Sequence, residues 1–482
     1  MTLYRGGSIR DQRPEQRTGA ASPFWPRVRE VVAVVAGLVA FVVGYGLSDH
    51  ASDWLSSFGA GSDGQPLAVS TAPPDEPGGD APRELIESLP VGIDDYGHIE
   101  VERGALADAR REPIVHRQDG YLVEYTFDRA LTGRLLKLLE RGRVEQGHAI
   151  ALDPLTGRVL AYVSTDMQSF PPQGSYPAAS LVKIVTAAAA LQHAPAAARR
   201  PCLYNGDKYR LTRSSIHRPT RGTEETLEKS LGTSNNRCFA QLAVESIGGQ
   251  SLVRALEQFG WRDSPAPGHA VGQVDPGNDD FDLGRLGCGL SGCQITPLHA
   301  AQLAATLASG MQVTPWWIDR ITDATGNELS LPARPAPRRV ISADIADELR
   351  SMLVHTTTNG TARRAFRDRR GRPKLGSVRV AGKTGNLNGT HPKGRYEWFV
   401  GVAPAERPTI AVAVVQVQGK LWWSRSSEVA ADLLSEIFCD RGRCDPKLAE
   451  RFTVELGDGA TPVLLSDGSD GRAMPASPGP GG

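Results

Sequence analysis

The 482-residue sequence predicts an α/β (α+β) protein with one antiparallel sheet, flanking helices and an inserted helical lobe. Strand-like runs at the two ends of the ordered region, 148–164 and 376–417, enclose a mainly helical middle. This order predicts a sheet whose strands come from distant parts of the chain. A third observation, the uncharged apolar run 31–47, adds a single N-terminal transmembrane helix, because seventeen helical residues rise roughly 25 Å.

The charge pattern around the apolar run predicts the orientation of the chain in a membrane. Residues 1–30 contain six arginines and three acids, which is typical of a cytoplasmic basic tail. A cleaved signal peptide is the alternative, but the run is long for one, and the following SDHASD is a poor cleavage site. Both interpretations place the rest of the chain outside the cytoplasm. We expect a single-pass protein of the cytoplasmic membrane whose main domain is extracytoplasmic (periplasmic).

The cysteines are consistent with that compartment, where disulfides persist. All six follow the apolar run: Cys202, Cys238, Cys288, Cys293, Cys439 and Cys444. The segments CGLSGC and CDRGRC could each close a small loop, which would leave Cys202 to pair with Cys238. Zinc is the competing interpretation, but the ten histidines form no cluster with ligand spacing, so no metal is expected. The formal net charge of zero gives no reason to expect a nucleic-acid partner.

Composition divides the chain into segments. Residues 48–83 and the tail 457–482 are rich in Gly, Ser, Pro and Asp, and are predicted to be a flexible linker and a disordered tail. Residues 84–120 show no clear pattern and are treated as a small accessory region. Periodicity then predicts a helix at 128–144, a hairpin at 148–164, strands at 376–385, 396–404 and 409–417, and a helix at 426–438.

A serine and a lysine begin the apolar, alanine-rich helix that follows this hairpin. Ser180 and Lys183 are three residues apart, so both side chains lie on one helix face. A serine nucleophile needs a base, and a lysine surrounded by Leu, Val and Ile can lose its charge through desolvation. A surface lysine whose stem packs on apolar neighbours is the alternative for this pair alone. The chain has only nine lysines, and no other has a serine three residues before it.

Two further motifs follow in the chain. Ser234-Asn235-Asn236 lies 54 residues after Ser180, and Lys383-Thr384-Gly385 lies 149 residues after Ser234. Taken singly, the first is consistent with a helix N-cap and the second with a solvated turn. Three short motifs in this order are hard to obtain by chance.

The three motifs resemble those of penicillin-binding proteins and serine β-lactamases. The resemblance extends to ALDPLTGRVLAYVS, to LGCGLSGCQITPLHAAQLAATLASG and to EWFVGVAP, and covers roughly residues 120–440. The chain is thereby identified as a member of the penicillin-binding transpeptidase family, with that domain at 121–445. The resemblance implies a β-lactamase/transpeptidase-like fold with a five-stranded antiparallel sheet and an all-helical lobe.

The resemblance also implies a catalytic set. Ser180 would attack the carbonyl of a D-Ala-D-Ala stem peptide, and Lys183 would accept its proton. Ser234 would relay a proton to the leaving amine, while Asn236 would bond the substrate amide. A second stem peptide's amine would then attack the ester and free Ser180, and the reaction requires no cofactor or metal.

Four consecutive residues are implied to bind substrate. Lys383 and Thr384 would hold the terminal carboxylate, and Gly385 and Asn386 continue the same strand. The backbone N–H groups of Ser180 and Asn386 would form the oxyanion hole. Many relatives have a hydroxyl residue where this chain has Asn386, and often a glycine where it has Ala179, but neither difference removes a reacting group.

Several activities share these motifs and stay open. A serine β-lactamase would need a deacylating base, and residues 258–326 contain no glutamate of the kind that one large class uses. A D,D-carboxypeptidase differs only in that water attacks the ester. A penicillin sensor or structural subunit of a cell-wall synthesis complex is the non-catalytic alternative. The predicted partners are peptidoglycan stem peptides, β-lactams as inhibitors, the membrane through 31–47, and a cell-wall synthesis complex.

Overall fold

The sheet at the centre of the protein is antiparallel and has five strands. It is seen in a computed structural model that describes residues 78–89, 91–92, 114–418 and 424–452. Numbered in chain order, the strands are β1 (Gly78–Asp80), β2 (Ile114–Gln118), β3 (Tyr121–Tyr125), β4 (Gln146–Leu152), β5 (Val159–Thr165), β6 (Tyr176–Pro177), β7 (Cys202–Tyr204), β8 (Thr223–Glu225), β9 (Gln273–Val274), β10 (Cys293–Ile295), β11 (Met311–Gln312), β12 (Ile318–Thr322), β13 (Leu329–Ser330), β14 (Arg338–Arg339), β15 (Ala381–Thr390), β16 (Lys393–Ala403), β17 (Ile410–Gln418), β18 (Cys439–Asp440) and β19 (Arg443–Cys444). The order in the central sheet is β15-β16-β17-β4-β5.

The helices lie on both faces of this sheet and in the lobe between its strands. In chain order they are α1 (Arg83–Ser88), α2 (Arg129–Arg141), α3 (Val182–His193), α4 (Pro195–Arg199), α5 (Leu227–Gly232), α6 (Asn236–Gln241), α7 (Gly249–Gln258), α8 (Asp280–Cys288), α9 (Pro297–Ser309), α10 (Ala343–Thr358) and α11 (Ser426–Phe438). Three 3₁₀ turns, Ala179–Leu181, Arg213–Ile216 and Pro446–Phe452, and one π-helical turn, Leu242–Ile247, complete the list.

The central sheet is buried on both faces, and its strand β17 shows this most clearly. Its residues are buried up to Val417, and alternate ones belong to different apolar clusters. Ala411 and Ala413 face the cluster that includes α9, whereas Val412 and Val414 face the cluster that includes α2 and α11. A strand covered on both sides shows a continuous apolar run, which explains why TIAVAVVQV lacks polar alternation.

The predicted sheet elements are confirmed. Strands β4 and β5 form the predicted hairpin around 153–157, and β16 and β17 lie at the predicted runs 396–404 and 409–417. The strand predicted at 376–385 begins only at Ala381, as β15. Helices α2 and α11 occupy the predicted segments 128–144 and 426–438. The strand that carries Lys-Thr-Gly runs on to Thr390, so this motif lies in the middle of β15 and not in a solvated turn.

The N-terminal part of the described chain packs on the main core instead of forming a separate region. Gly78–Asp80 pairs with β13, although the sequence predicts a flexible linker up to residue 83. Leu85, Leu89 and Val91 are buried in the same cluster as α3 and α9. The predicted boundary at residue 120 falls in the turn between β2 and β3, and β3 also pairs with β12.

Several predictions fall on residues that the structure does not describe. They are the basic tail 1–30, the transmembrane segment 31–47, residues 48–77 of the linker and the tail 457–482. Among the helices of the described ranges, none has the length and apolar character needed to cross a bilayer.

Candidate active site

Ser180 lies in a short turn that the fold holds in a strained conformation. The 3₁₀ turn Ala179–Leu181 leads directly into α3, so Ser180 stands just before the first turn of that helix. Ala179 has φ of 50°, in the left-handed region that a residue with a side chain adopts at a cost. Strain of this kind persists only where surrounding contacts determine the backbone. One such contact is the hydrogen bond from Ala178 N–H to the carbonyl of Cys293 in β10.

The side chain of Lys183 is fully buried beneath this turn. Its Nζ lies 2.7 Å from each of three oxygens, Ser180 Oγ, Asn236 Oδ1 and the carbonyl of Cys288. Burial lowers the pKa of Lys183 from its usual 10.5 to about 8, because the low-dielectric interior disfavours the charged amine. A neutral amine at 2.7 Å from a serine hydroxyl has a lone pair that can accept the hydroxyl proton.

The Ser-x-Asn motif serves as a helix cap and as part of the site at the same time. Asn235 is the N-cap of α6, and its Oδ1 accepts hydrogen bonds from the backbone N–H groups of Arg237 and Cys238. Its two neighbours, Ser234 and Asn236, instead contact the two buried lysines. Asn236 Oδ1 accepts from Lys183 while Asn236 Nδ2 donates to the carbonyl of Tyr209 at 2.7 Å. Ser234 has φ of 60°, which is the second left-handed residue at the site.

Lys383 reaches the same place from the edge strand β15. Its fully buried Nζ donates to Ser234 Oγ at 2.9 Å and to the carbonyl of Thr384 at 2.7 Å. Burial, and then the nearby charge of Lys183, hold the pKa of Lys383 well below its usual value. Within the described residues, neither lysine forms an ion pair with a carboxylate. A carboxylate of a ligand beside Lys383 would supply the opposite charge that favours its ammonium form.

The rest of β15 lies partly beside this cluster and partly away from it. Gly385 lies against Ala179, since a Cβ added there would stand 3.3 Å from the Ala179 methyl group. Thr384 Oγ1 lies 2.6 Å from Thr361 Oγ1. The side chain of Asn386 is exposed and accepts a hydrogen bond from Arg395 Nε at 2.7 Å. The predicted residues are thus brought together, except that the Asn386 side chain points to Arg395.

Some residues of the site have no signal in the three motifs. Gly289 has φ of 75°, and a Cβ there would lie 1.9 Å from the carbonyl oxygen of Ala179 and 3.1 Å from Ser180 N. Only glycine fits this close approach to the nucleophile turn. Cys288 contributes its carbonyl to Lys183, and Thr361 contacts Thr384. The Gly-x-Gly segment that includes Gly289 was noticeable in the sequence, whereas Thr361 was not.

The cysteines follow two of the three predicted pairings. Disulfides join Cys202 to Cys238 and Cys439 to Cys444. The predicted loop closure by Cys288 and Cys293 is wrong, because both are buried free thiols. Cys288 ends α8, and its Sγ donates back to the carbonyl of Arg285 at 3.5 Å, within its own helix. No group of three or more His, Cys, Asp or Glu in the described ranges could hold a metal ion.

Comparisons with protein families and with curated proteins find transpeptidases. The family model of the penicillin binding protein transpeptidase domain matches residues 147–438. Peptidoglycan D,D-transpeptidase PbpA of Mycolicibacterium smegmatis is 26% identical over 320 residues, which are 57% of this chain and 62% of that protein. Stage V sporulation protein D of Bacillus subtilis is 26% identical over 61% of this chain and 48% of its own length. The chain therefore spans less than two thirds of the curated relatives it matches.

Solved structures show the same fold. Penicillin-binding protein A of Mycobacterium tuberculosis, as an imipenem acyl-enzyme complex, has a TM-score of 0.52 at 22% identity, over 65% of this chain and 79% of that one. Penicillin-binding protein 3 of Mycobacterium tuberculosis, complexed with aztreonam, has a TM-score of 0.53 at 18% identity, over 72% of this chain and 87% of that one. At these identities the likeness concerns the fold alone.

Proposed function

The chain belongs to the family of penicillin-binding protein transpeptidase domains, and from this premise we propose that it is a serine D,D-transpeptidase that cross-links peptidoglycan stem peptides. One observation carries the proposal: the buried Lys183 amine, with a pKa near 8, lies 2.7 Å from Ser180 Oγ. This arrangement supplies the base without which a serine hydroxyl is a weak nucleophile.

In the proposed acylation, Ser180 Oγ attacks the carbonyl of the penultimate D-Ala while its proton passes to Lys183 Nζ. The backbone N–H groups of Ser180 and Asn386 stabilise the oxyanion. When the peptide bond breaks, the terminal D-Ala leaves as an amine that takes up a proton through Ser234. The product is a Ser180 ester of the shortened stem peptide.

Substrate binding is assigned to the two sides of the cleft. Lys383 and Thr384 bind the terminal carboxylate, and Thr361 orients the Thr384 hydroxyl from 2.6 Å away. Gly385 lets β15 approach the turn at Ala179 closely. Asn236 uses one hydrogen of Nδ2 for Tyr209, so the second remains available for a substrate amide carbonyl.

In the proposed second half-reaction, the amine of another stem peptide attacks the Ser180 ester and releases the serine. Water in place of the amine would give a D,D-carboxypeptidase, and fast hydrolysis of a β-lactam ester would give a β-lactamase. We favour the amine because the relatives from Mycolicibacterium and Mycobacterium are named peptidoglycan D,D-transpeptidases. β-Lactams are expected to acylate the same serine, since penicillin-binding protein A of Mycobacterium tuberculosis forms acyl-enzyme complexes with imipenem and penicillin G.

The proposed location is the outer side of the cytoplasmic membrane, with residues 31–47 as a single-pass anchor. The apolar run, the preceding basic tail and the disulfide Cys202–Cys238 support this location. Peptidoglycan lies in the same compartment. A cell-wall synthesis complex is the proposed setting in which the anchored domain works.

The test is acylation of the full-length chain by a fluorescent penicillin, with peptide mass mapping and Ser180→Ala as the control. A slowly released adduct on Ser180 that the control lacks is the expected result. Rapid turnover of the drug would reassign the protein as a β-lactamase. A folded protein without any adduct would favour the non-catalytic subunit. Incubation of the unmodified protein with a stem peptide that ends in D-Ala-D-Ala, with and without a D-amino acid acceptor, then separates transpeptidation from carboxypeptidase activity.

A further inference from the structure

A buried carboxylate that none of the three motifs contains lies beneath the Ser-x-Asn segment. Glu225, the last residue of β8, is 2% exposed. Its Oε2 accepts from Asn235 Nδ2 at 2.5 Å and from Ser230 Oγ at 3.4 Å. Its Oε1 accepts from Lys208 Nζ at 3.4 Å and lies 3.3 Å from Thr233 Oγ1, whose single hydrogen also has the carbonyl of Lys229 as an acceptor at 2.8 Å. Three donors and the Thr233 hydroxyl thus face the two carboxylate oxygens.

These donors belong to the segments that fix the site. Thr233 and Asn235 are the two neighbours of Ser234, and the carboxylate binds the Asn235 side chain and contacts the Thr233 hydroxyl. Lys208 approaches from another loop, and its carbonyl accepts the backbone N–H of Asn236 at 3.0 Å. The Glu225 side chain therefore contacts the residues before and after Ser234 and also the loop that contains Lys208.

The backbone of Ser234 requires such support. Its φ of 60° is unfavourable for a residue with a side chain, and no glycine relieves it. This conformation turns Ser234 Oγ toward Lys383 while Asn235 caps α6 and Asn236 faces Lys183. Strained conformations of this kind persist when surrounding bonds over-determine them.

We propose that Glu225 is a positioning residue for the reaction, which acts through its hydrogen bond from Asn235 and its contact with Thr233 to hold Ser234 Oγ in place against Lys383 Nζ. The inference rests on the proposed acyl transfer. Glu225 itself touches neither Ser180, Lys183 nor Lys383 among its described hydrogen bonds. Its loss should consequently slow the proton relay through Ser234 more than it weakens the initial binding of a β-lactam.

A second connection keeps the surrounding backbone in place without the carboxylate. Glu225 pairs across the β7–β8 ladder with Cys202, and Cys202 is joined by a disulfide to Cys238 in the first turn of α6. We therefore expect E225Q to fold, because the ladder and the disulfide remain. Glutamine keeps the shape of the side chain but replaces one of the two acceptor oxygens by an NH₂ group. That group faces other donors and cannot accept their hydrogen bonds.

The first experiment compares the wild-type full-length chain with E225Q in stopped-flow acylation by a fluorescent penicillin. Glu224→Gln is the matched control, because Glu224 lies next to Glu225 on the same strand and is exposed. We expect the acylation rate constant of E225Q to fall about 10- to 100-fold, with the pre-acylation dissociation constant within about threefold of wild type. E224Q should match wild type in both constants.

An exchange of groups between Glu225 and Asn235 tests the specific contact. Asn235→Asp alone places two carboxylates together and should slow acylation at least as much as E225Q. The double variant E225Q/N235D restores one carboxylate and one amide, and aspartate also caps helices well. We expect the double variant to acylate about tenfold faster than N235D, which a general loss of packing would not produce.

The outcomes distinguish a failure of the proposed function from a failure of the proposed role of Glu225. Absence of acylation in the wild type would overturn the proposed function and with it the basis of this inference. Normal wild-type acylation with E225Q within about threefold of it would overturn the role of Glu225 alone. Should E225Q give no cooperative thermal transition, the double variant decides: rescue supports the role, and a folded double variant as slow as N235D overturns it.

Discussion

Lys383 Nζ donates a hydrogen bond of 2.9 Å to Ser234 Oγ, although 149 residues separate them in the chain. A second buried lysine, Lys183, makes the corresponding contact with Asn236 Oδ1 at 2.7 Å. Each lysine thereby holds one residue of the Ser-x-Asn motif, and Lys183 also holds the serine nucleophile. The helical lobe and the edge of the sheet are joined at the place where chemistry is proposed.

The lowered pKa of Lys183 predicts how acylation depends on pH. The neutral amine is the base, so the rate should follow the deprotonated fraction of Lys183, rising with pH and levelling off above about 8. Below that midpoint the rate constant should fall about tenfold per pH unit. Stopped-flow acylation with a fluorescent penicillin between about pH 5.5 and 9.5 measures this dependence of the rate constant on pH. A flat profile would argue against Lys183 as the base.

Replacing Asn236 by Asp should move this profile. The new carboxylate would lie 2.7 Å from Lys183 Nζ, where a negative charge stabilises the ammonium form and raises its pKa. The hydrogen bond that Nδ2 donates to Tyr209 would also be lost. We expect the midpoint of the rate profile to shift upward by about one unit or more. Asn388→Asp, at an exposed position of β15, is the control and should leave the midpoint unchanged.

Gly289 is expected to tolerate no side chain. In G289A the new Cβ would meet the Ala179 carbonyl oxygen at 1.9 Å, so the nucleophile turn must shift. Gly326→Ala is matched for conformation, since Gly326 also has positive φ but no atom within 4 Å of the added Cβ. The control should lose about 1 kcal/mol of unfolding free energy from backbone strain alone. G289A should lose more and acylate at least about tenfold more slowly; equal effects of the two would contradict the close approach.

The two disulfides should differ in their effects on stability. Cys202 and Cys238 are 36 residues apart, and Cys439 and Cys444 are 5 apart. Loop-closure entropy predicts losses of at most about 4 kcal/mol for C202S/C238S and about 2 kcal/mol for C439S/C444S. Denaturant unfolding measures both. Only the first pair should also slow acylation, because Cys238 lies in the helix turn that follows Asn236; an equal slowing by the second pair would refute this.

The central sheet was predictable because its signals are local. Two apolar runs around a turn that contains Pro154 and Gly157 indicate the hairpin of β4 and β5, and the leucine spacing indicates α2. The end of β15 was not predictable, because Asn386, Asn388 and Gly389 favour turns by themselves. They form a strand only because β16 supplies the pairing register, Asn386 opposite Glu397 and Gly389 opposite Gly394.

The order of the three motifs and their residue types are properties of the sequence alone, and they suffice to identify the family and its reacting groups. The tertiary structure determines the burial, the pKa values and the contacts of those groups. It buries Lys183 and Lys383 and so lowers both pKa values, and it leaves Cys288 unpaired because that thiol turns back into its own helix. It also places Glu225 under Ser234. Desolvation and contacts across many residues arise only when distant segments pack together, so no local pattern contains them.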